Sequence, residues 1–362
     1  MHPLELEFIP KLLVSMKKRP STITDIAKAL NISASTVSRA LHDNPSISLE
    51  TKNKVLSLAR ELNYQPNMLA LSLLKKKTKT IGVIVPEITS YFFAMVINGV
   101  QDMVDEAGYK LIISQSNESF EEEEKLIETL SLGRVDGFLI SPSSKTMSYG
   151  HLEKLRASGI PIVVFDRDCP NFEADKVLVD DFDGAYQAVD YLVKTGCRRL
   201  AHIAGPESLT TSQHRKAGYL KALERNNLDI EEELIQTVGG FTSEFGEEAA
   251  KALLDLPNPP DAIFAINDAV AIGAMSAIFE RGLRIPEDIS IVGFDDEPYS
   301  KYFHPSLSSV WQPVYDLGML SSKILMNQLD KEVEDNDYRY EILKPELVIR
   351  ESSKPLPDFY RL

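Results

Sequence analysis

The 362-residue chain is poor in the residues that would staple, metallate or span anything. It has two cysteines, one tryptophan and six histidines, and no apolar run long enough to cross a bilayer. Cys169 and Cys197 have no metal-ligand spacing and make no disulfide framework, which suits a reducing cytoplasm. No GxGxxG or P-loop pattern follows a strand-like run, so no nucleotide cofactor is expected. The histidines are scattered and no HExxH occurs. Neither a metal site nor a catalytic constellation is legible, and an enzyme is not expected. The opening "MHPLELEFIPKLLVSM" lacks a cationic stretch ahead of a hydrophobic one and does not read as a signal peptide. These absences point to a cytoplasmic protein with no cofactor and no membrane partner.

Net positive charge is also missing: the formal charge is −15 and the pI about 5.0. The average conceals a polarity. Residues 16–80 hold twelve Lys and Arg against four Asp and Glu, a net of +8, while residues 1–15 carry −1 and residues 81–362 carry −22. A basic block ahead of an acidic body is the asymmetry of a nucleic-acid-binding headpiece on a regulatory domain. Residues 1–20 read as a tail, and Met16, directly before the basic stretch, is a candidate start.

Residues 21–65 read as three short helices. Thr22 can cap the first, whose Ile23, Ile26, Ala27 and Leu30 form one apolar stripe. Ser33 can cap a second helix that turns Val37, Ala40 and Leu41 inward and Ala34, Ser35, Ser38, Arg39 and His42 outward. Ser48 can cap a third, with Val55, Leu58, Ala59 and Leu62 inward. Two helices joined by a tight turn and braced by a third make a helix-turn-helix. The second helix carries small side chains that allow close approach to a major groove. Arg39 suits a bidentate contact to guanine or a phosphate, and Ser35, Thr36 and Ser38 can bond to bases or phosphates. Residues 66–80 follow as a short helix and linker, in which Leu69, Leu73 and Leu74 have nothing nearby to bury against. One resolution is a partner copy and a minor groove wedged by a leucine. The other is a linker packed on the next domain.

From residue 81 strand-like runs alternate with amphipathic helices in two series: "IGVIVP", "KLIIS", "DGFLIS", "PIVVFD", then "RLAHIAG", "DAIFAIN", "ISIVGFD". The pattern predicts an α/β body of two similar lobes, each a doubly wound parallel sheet covered on both faces. Ligands of such sheets bind beyond the carboxyl ends of the strands. Those ends carry Ser141, Asp166-Arg167, Asn267-Asp268 and Asp295-Asp296. Carboxylates, amides and aromatics suit a polyhydroxylated ligand. For Asp268 and Asp296 a cap or surface charge fits as well.

"TITDIAKALNISASTVSRAL", "ARELNYQPN" and "TKTIGVIVP", in this order, resemble the lactose-repressor (LacI/GalR) family of bacterial transcription regulators, and the match continues to about residue 350. The resemblance implies a homodimeric, effector-controlled regulator, most often a repressor, that reads palindromic double-stranded operator DNA and works at the nucleoid. It implies base-reading positions at Ala34, Ser35 and Arg39, backbone contacts from Thr22, Ser33, Thr36, Ser38 and Ser48, and hinge positions at Asn67, Ala70 and Leu73. His42, Ser46 and Leu71 stand where many members have Asn, Gly and Arg. The implied body is a periplasmic-binding-protein-like core over residues 81–352 with three crossovers. Its first lobe covers about 81–179 and 312–340, its second about 180–308 and 341–352, and 353–362 form a tail. Effector positions implied by the match are Phe92 and Phe93 in a loop after the first strand, Ser141, Asp166, Thr211, Arg215, Phe241, Asn267, Asp295 and Gln312. A sugar is the expected effector class. Hexose, pentose, oligosaccharide, sugar phosphate and nucleobase stay open, although the excess of Asp over Lys near the cleft argues against a phosphate. A solute-binding protein of the same core without transcriptional output is the rival reading. The basic headpiece argues against it.

Overall fold

The computed structural model describes residues 21–64, 77–330 and 338–357. Its chain divides into two units, residues 1–76 and 77–362. The expected hinge positions Asn67, Ala70 and Leu73, the tail 1–20 and residues 65–76 of the basic block lie outside the described residues.

The first unit contains α1 (Ile23–Leu30), α2 (Ala34–Leu41) and α3 (Leu49–Glu61). Each starts at a hydroxyl cap. Thr22 forms a reciprocal capping box with Asp25, Ser33 accepts from the Thr36 amide and Ser48 from the Thr51 amide. Asn31, in the left-handed region at φ 51°, ends α1 and turns the chain into α2. Ile26, Ala27, Val37, Ala40, Val55 and Ala59 close the small core, with Leu30, Leu41, Leu58 and Leu62 around it.

In the second unit the first sheet has the order β11-β5-β4-β3-β1-β2, built from β1 (Thr80–Val85), β2 (Lys110–Gln115), β3 (Gly137–Ile140), β4 (Ile162–Phe165), β5 (Asp175–Val179) and β11 (Tyr340–Leu343). The second has the order β12-β10-β9-β8-β6-β7, built from β6 (Leu200–Ala204), β7 (Ile235–Thr237), β8 (Ala262–Ala265), β9 (Ser290–Asp295), β10 (Ser308–Trp311) and β12 (Glu346–Val348). Every pairing is parallel except β10 with β12. Helices α4 (Tyr91–Glu106), α5 (Phe120–Leu132), α6 (Gly150–Ala157) and α11 (Val314–Asp330) belong to the first lobe. The second carries α7 (Asp181–Lys194), α8 (Thr210–Arg225), α9 (Ser243–Leu254) and α10 (Asp268–Glu280). Each sheet is covered by an apolar cluster on both faces, which is why its strands read as continuous apolar runs.

The chain passes between lobes after β5, after β10 and after β11. The last passage corrects the expected boundary at 340/341. Tyr340–Leu343 pairs with Lys176–Val179, so the first lobe keeps the chain through Leu343. The tail also starts later than 353. Ser353 is buried with its hydroxyl 2.7 Å from that of Ser308, and Tyr191 donates to the Lys354 carbonyl at 2.8 Å.

Close helix contact in the first lobe depends on two glycines. A Cβ at Gly99 would lie 2.2 Å from the Tyr315 carbonyl oxygen, and one at Gly318 2.1 Å from that of Val96. Only glycine lets α4 and α11 approach this far. The first lobe also holds the segment that enters β1. Asp136 accepts from the amides of Thr78 and Lys79 at 2.7 and 2.8 Å, and Thr78 Oγ1 donates to it at 2.9 Å. Lys77 Nζ donates to the Leu329 carbonyl at 2.8 Å, and Lys79 Nζ lies 4.2 Å from the Tyr109 ring centre. These two lysines pack on the first lobe.

Candidate functional site

In the headpiece the turn sets α2 so that Val37 and Ala40 are buried and Ala34, Ser35 and Arg39 are exposed, with Thr36 and Ser38 partly so. Arg39 Nε reaches the Ser35 carbonyl at 3.3 Å, which lays the guanidinium along the exposed face beside Ser35. Ser33 Oγ lies 2.8 Å from both Ser35 Oγ and Thr36 Oγ1, and Ser48 Oγ 2.9 Å from Thr51 Oγ1. Thr22, Ser33 and Ser48 therefore act as caps. They mark three helix N-termini, where amides and dipole favour an anion such as a phosphate. His42 caps the end of α2, its Nδ1 2.8 Å from the Ser38 carbonyl oxygen.

In the two-lobed core the expected residues fall into groups at the strand ends. Ser141, after β3, donates to Asp166 at 3.0 Å. Asp166 follows β4 at φ 65°. Burial, reinforced by the charge of Asp181, pushes its carboxyl up to about 6 against the pull of Arg167. Across the cleft, Arg215 on α8 donates through Nε to Asp181 at 2.7 Å and through Nη1 to the Ile266 carbonyl at 2.6 Å. Its guanidinium stacks on Phe294 at 3.7 Å, with Asp295 4.0 Å away. Gln312 donates to the same Asp295 oxygen at 2.6 Å. Burial raises the Asp181 carboxyl and lifts that of Asp295 well above its ordinary value. Thr211 is buried one turn ahead of Arg215.

Asn267 spends both ends of its amide locally. Its oxygen caps α10 by accepting from Val270, and its nitrogen donates to the Phe241 carbonyl at 3.2 Å. It thereby ties the loop that carries Phe241 to the end of β8. Asp268 is a buried structural carboxylate. It accepts from Glu297 N at 2.9 Å, from Ser300 Oγ at 2.6 Å and from Ser309 Oγ, and burial pushes it up to about 7. Asp296 pairs with Arg350 at 2.6 Å. Phe92 and Phe93, which the family match sets in a loop, lie in the first turn of α4, which Ser90 caps. They are buried and pack edge to face at 5.1 Å within the first-lobe core.

Several residues that shape the cleft are absent from the expected set. Glu118 grips Arg167 bidentately at 2.9 and 2.8 Å and accepts from the Ser144 amide at 2.6 Å. Although burial opposes it, this holds the Glu118 carboxyl below its usual value. Arg167 also donates to the Pro142 carbonyl and lies 5.9 Å from the Phe241 ring centre, so it faces the opposite lobe. The Asp168 amide donates to Thr210 Oγ1 at 3.1 Å, also between lobes. The one sequence signal for this group was Arg167, immediately after Asp166. A cavity of about 390 Å³ opens at the ends of β9 and β10, lined by Asp295, Gln312, Glu297, Trp311, Tyr91 and Met95.

The Asp166 carboxyl has a testable consequence. With a folded-state value near 6, against 3.8 ordinarily, it keeps its proton on folding where the unfolded chain has lost it. Its contribution to stability should fall as pH rises from about 4 to about 6 and stay level above. Asp166→Asn should lose that slope in urea unfolding of the core. An unchanged difference between the two proteins from pH 4 to 7 would refute the shift.

The lacI family model of bacterial regulatory proteins matches residues 22–67, and a periplasmic binding protein-like domain matches residues 189–353. "Probable HTH-type transcriptional repressor ExuR" of Bacillus subtilis is 39% identical over 314 residues, covering 86% of this chain and 92% of that one. The ribose operon repressor of Halalkalibacterium halodurans is 37% identical over 336 residues, covering 92% and 97%. Among solved structures, the lac repressor dimer bound to operator and an anti-inducer superposes with a TM-score of 0.82 at 27% identity, covering 93% of this chain and 100% of that one. With its headpiece, its two-lobed core and relatives this similar along nearly all its length, the chain belongs to the lacI family of bacterial regulatory proteins.

Proposed function

We propose that this protein is a transcriptional repressor that binds operator DNA through its headpiece and is controlled by a sugar bound between its lobes. The observation that carries the reading is the joining, in one chain, of an exposed, capped second helix to a two-lobed core whose cleft gathers Arg215, Asp295 and Gln312. Ala34, Ser35 and Arg39 face base edges. Thr22, Ser33, Thr36, Ser38 and Ser48 place helix ends against phosphates, with His42 at the groove's edge. Asn67, Ala70 and Leu73 act at the hinge. Two copies bind one palindromic site, as the lac repressor dimer does with its operator.

The effector sits among Ser141, Asp166, Thr211, Arg215, Phe241, Asn267, Asp295 and Gln312, with Phe92 and Phe93 backing the first-lobe wall. Hydroxyl groups donate to the carboxylates and accept from Arg215, and the Phe241 ring covers an apolar sugar face. The name of the ribose operon repressor supports a sugar. Closure around the effector changes operator affinity, and operator binding changes effector affinity by the same factor. The protein acts at the nucleoid in the cytoplasm. Footprinting on DNA flanking its own gene, with and without a panel of sugars, tests the reading. A protected palindrome whose occupancy changes with one sugar is expected; no specific protection under any condition would overturn it.

A further inference from the structure

The cleft's charges are unequal in number and in freedom. Two guanidiniums serve four carboxylates. Arg167 is gripped bidentately by Glu118 and lies 3.8 Å from Asp166. Arg215 is bonded to Asp181 and lies 4.0 Å from Asp295. The other buried or half-buried cations nearby are also committed, while Lys301 stands exposed on the cavity rim over the Tyr302 ring. Lys176 is buried against Asp168 at 2.6 Å, and Arg350 is held by Asp296 at 2.6 Å. Asp166 and Asp295, the two carboxylates whose guanidinium stands off at 3.8 and 4.0 Å rather than hydrogen-bonding to them, have side chains still 11% and 13% exposed, one in each lobe. Their close hydrogen bonds come from the neutral groups of Ser141 and Gln312.

We propose that the effector carries no anionic group: the cleft selects a neutral, hydroxyl-rich sugar and rejects the corresponding uronic acid and sugar phosphate. This rests on the reading of the core as a sugar sensor and adds the charge of the ligand. A hydroxyl donates to Asp166 or Asp295 without disturbing either ion pair. An anion placed between the same carboxylates finds both guanidiniums engaged and meets like charge at low dielectric. To hold it, Arg167 would have to leave Glu118, stranding a half-buried carboxylate. The buried donors that remain are amides and hydroxyls, which hold a sugar hydroxyl as well as they hold an acid. The one further cation among the described residues that line the cavity, Lys301, is exposed at the rim, where water screens it.

The test is calorimetric titration of the full chain with matched sets: ribose and ribose 5-phosphate; glucose, glucuronate and glucose 6-phosphate; galactose, galacturonate and galactose 6-phosphate. In whichever set binds, the neutral sugar should bind roughly 100-fold or more tightly than its charged counterparts. An acid or phosphate that binds as tightly as the neutral member overturns the proposal and leaves the sugar reading standing. Binding by no member of any set overturns both. A variant checks the cause. Glu118→Gln releases Arg167 from its carboxylate and should narrow the preference for the neutral sugar by about tenfold. A preference unchanged in that variant, with the fold intact by circular dichroism, would show that saturation of Arg167 is not its source.

Discussion

Replacing Arg215 with alanine is expected to lower the unfolding free energy of the two-lobed core by about 3–5 kcal/mol at neutral pH. The guanidinium is buried and does three things at once. It neutralises Asp181 at 2.7 Å, satisfies the Ile266 carbonyl at 2.6 Å and covers the Phe294 ring. Without it Asp181 must stay charged and unpaired in a buried site or take up a proton. The sign with pH follows. Burial already raises this carboxyl, and removing Arg215 raises it further. The deficit of the variant should therefore be largest at neutral pH and shrink as pH falls and the folded variant's Asp181 takes up a proton. The double variant Arg215→Ala/Asp181→Asn removes the stranded charge and should recover more than half of the loss. Urea unfolding of the three proteins at pH 5 and 7 measures all of this. A loss below about 1 kcal/mol would mean that water reaches Asp181.

The second large effect is expected at Arg39. It is the one cation on the exposed face of α2, and alanine there should cost about 1–3 kcal/mol of operator affinity. Binding to unrelated DNA should weaken far less, because a base contact contributes to specific binding alone. Electrophoretic titration against the operator and a scrambled duplex at several salt concentrations separates the two. An equal loss on both, with a salt slope reduced by about one unit, would reassign Arg39 to a phosphate.

The fold was largely legible because parallel strands buried on both faces are written as short apolar runs, as in "IGVIVP" and "AIFA". What was missed has a common cause. Strand β5 begins with Asp175 and Lys176, which look like loop residues yet are buried. Asp175 is satisfied by Gln328 and by the Arg339 amide, and Lys176 by Asp168 and the Cys169 carbonyl. Partners so far along the chain leave no trace in local pattern.

The candidate site divided in the same way. Asp295 stands at a strand end, which makes it findable by position, whereas Arg215 and Gln312 came only with the family resemblance. Glu118 lies 49 residues from the arginine it controls, in a stretch of ordinary polar residues. Asn267 was found, and its amide turned out to be engaged in holding the Phe241 loop. Family alignment identifies which residues recur at a cleft. It does not say which of them are already occupied by one another, and that occupancy sets the charge a ligand must carry.

The clasp at Asp136 has a consequence for how the two activities communicate. Three hydrogen bonds fasten residues 78 and 79 to Asp136, just ahead of β3, so the chain that leads back to the headpiece leaves from a fixed point on the first lobe. A protein with this clasp undone would still recognise its sugar and still recognise its operator. It would have lost only the conversation between them, a repressor deaf to its own signal.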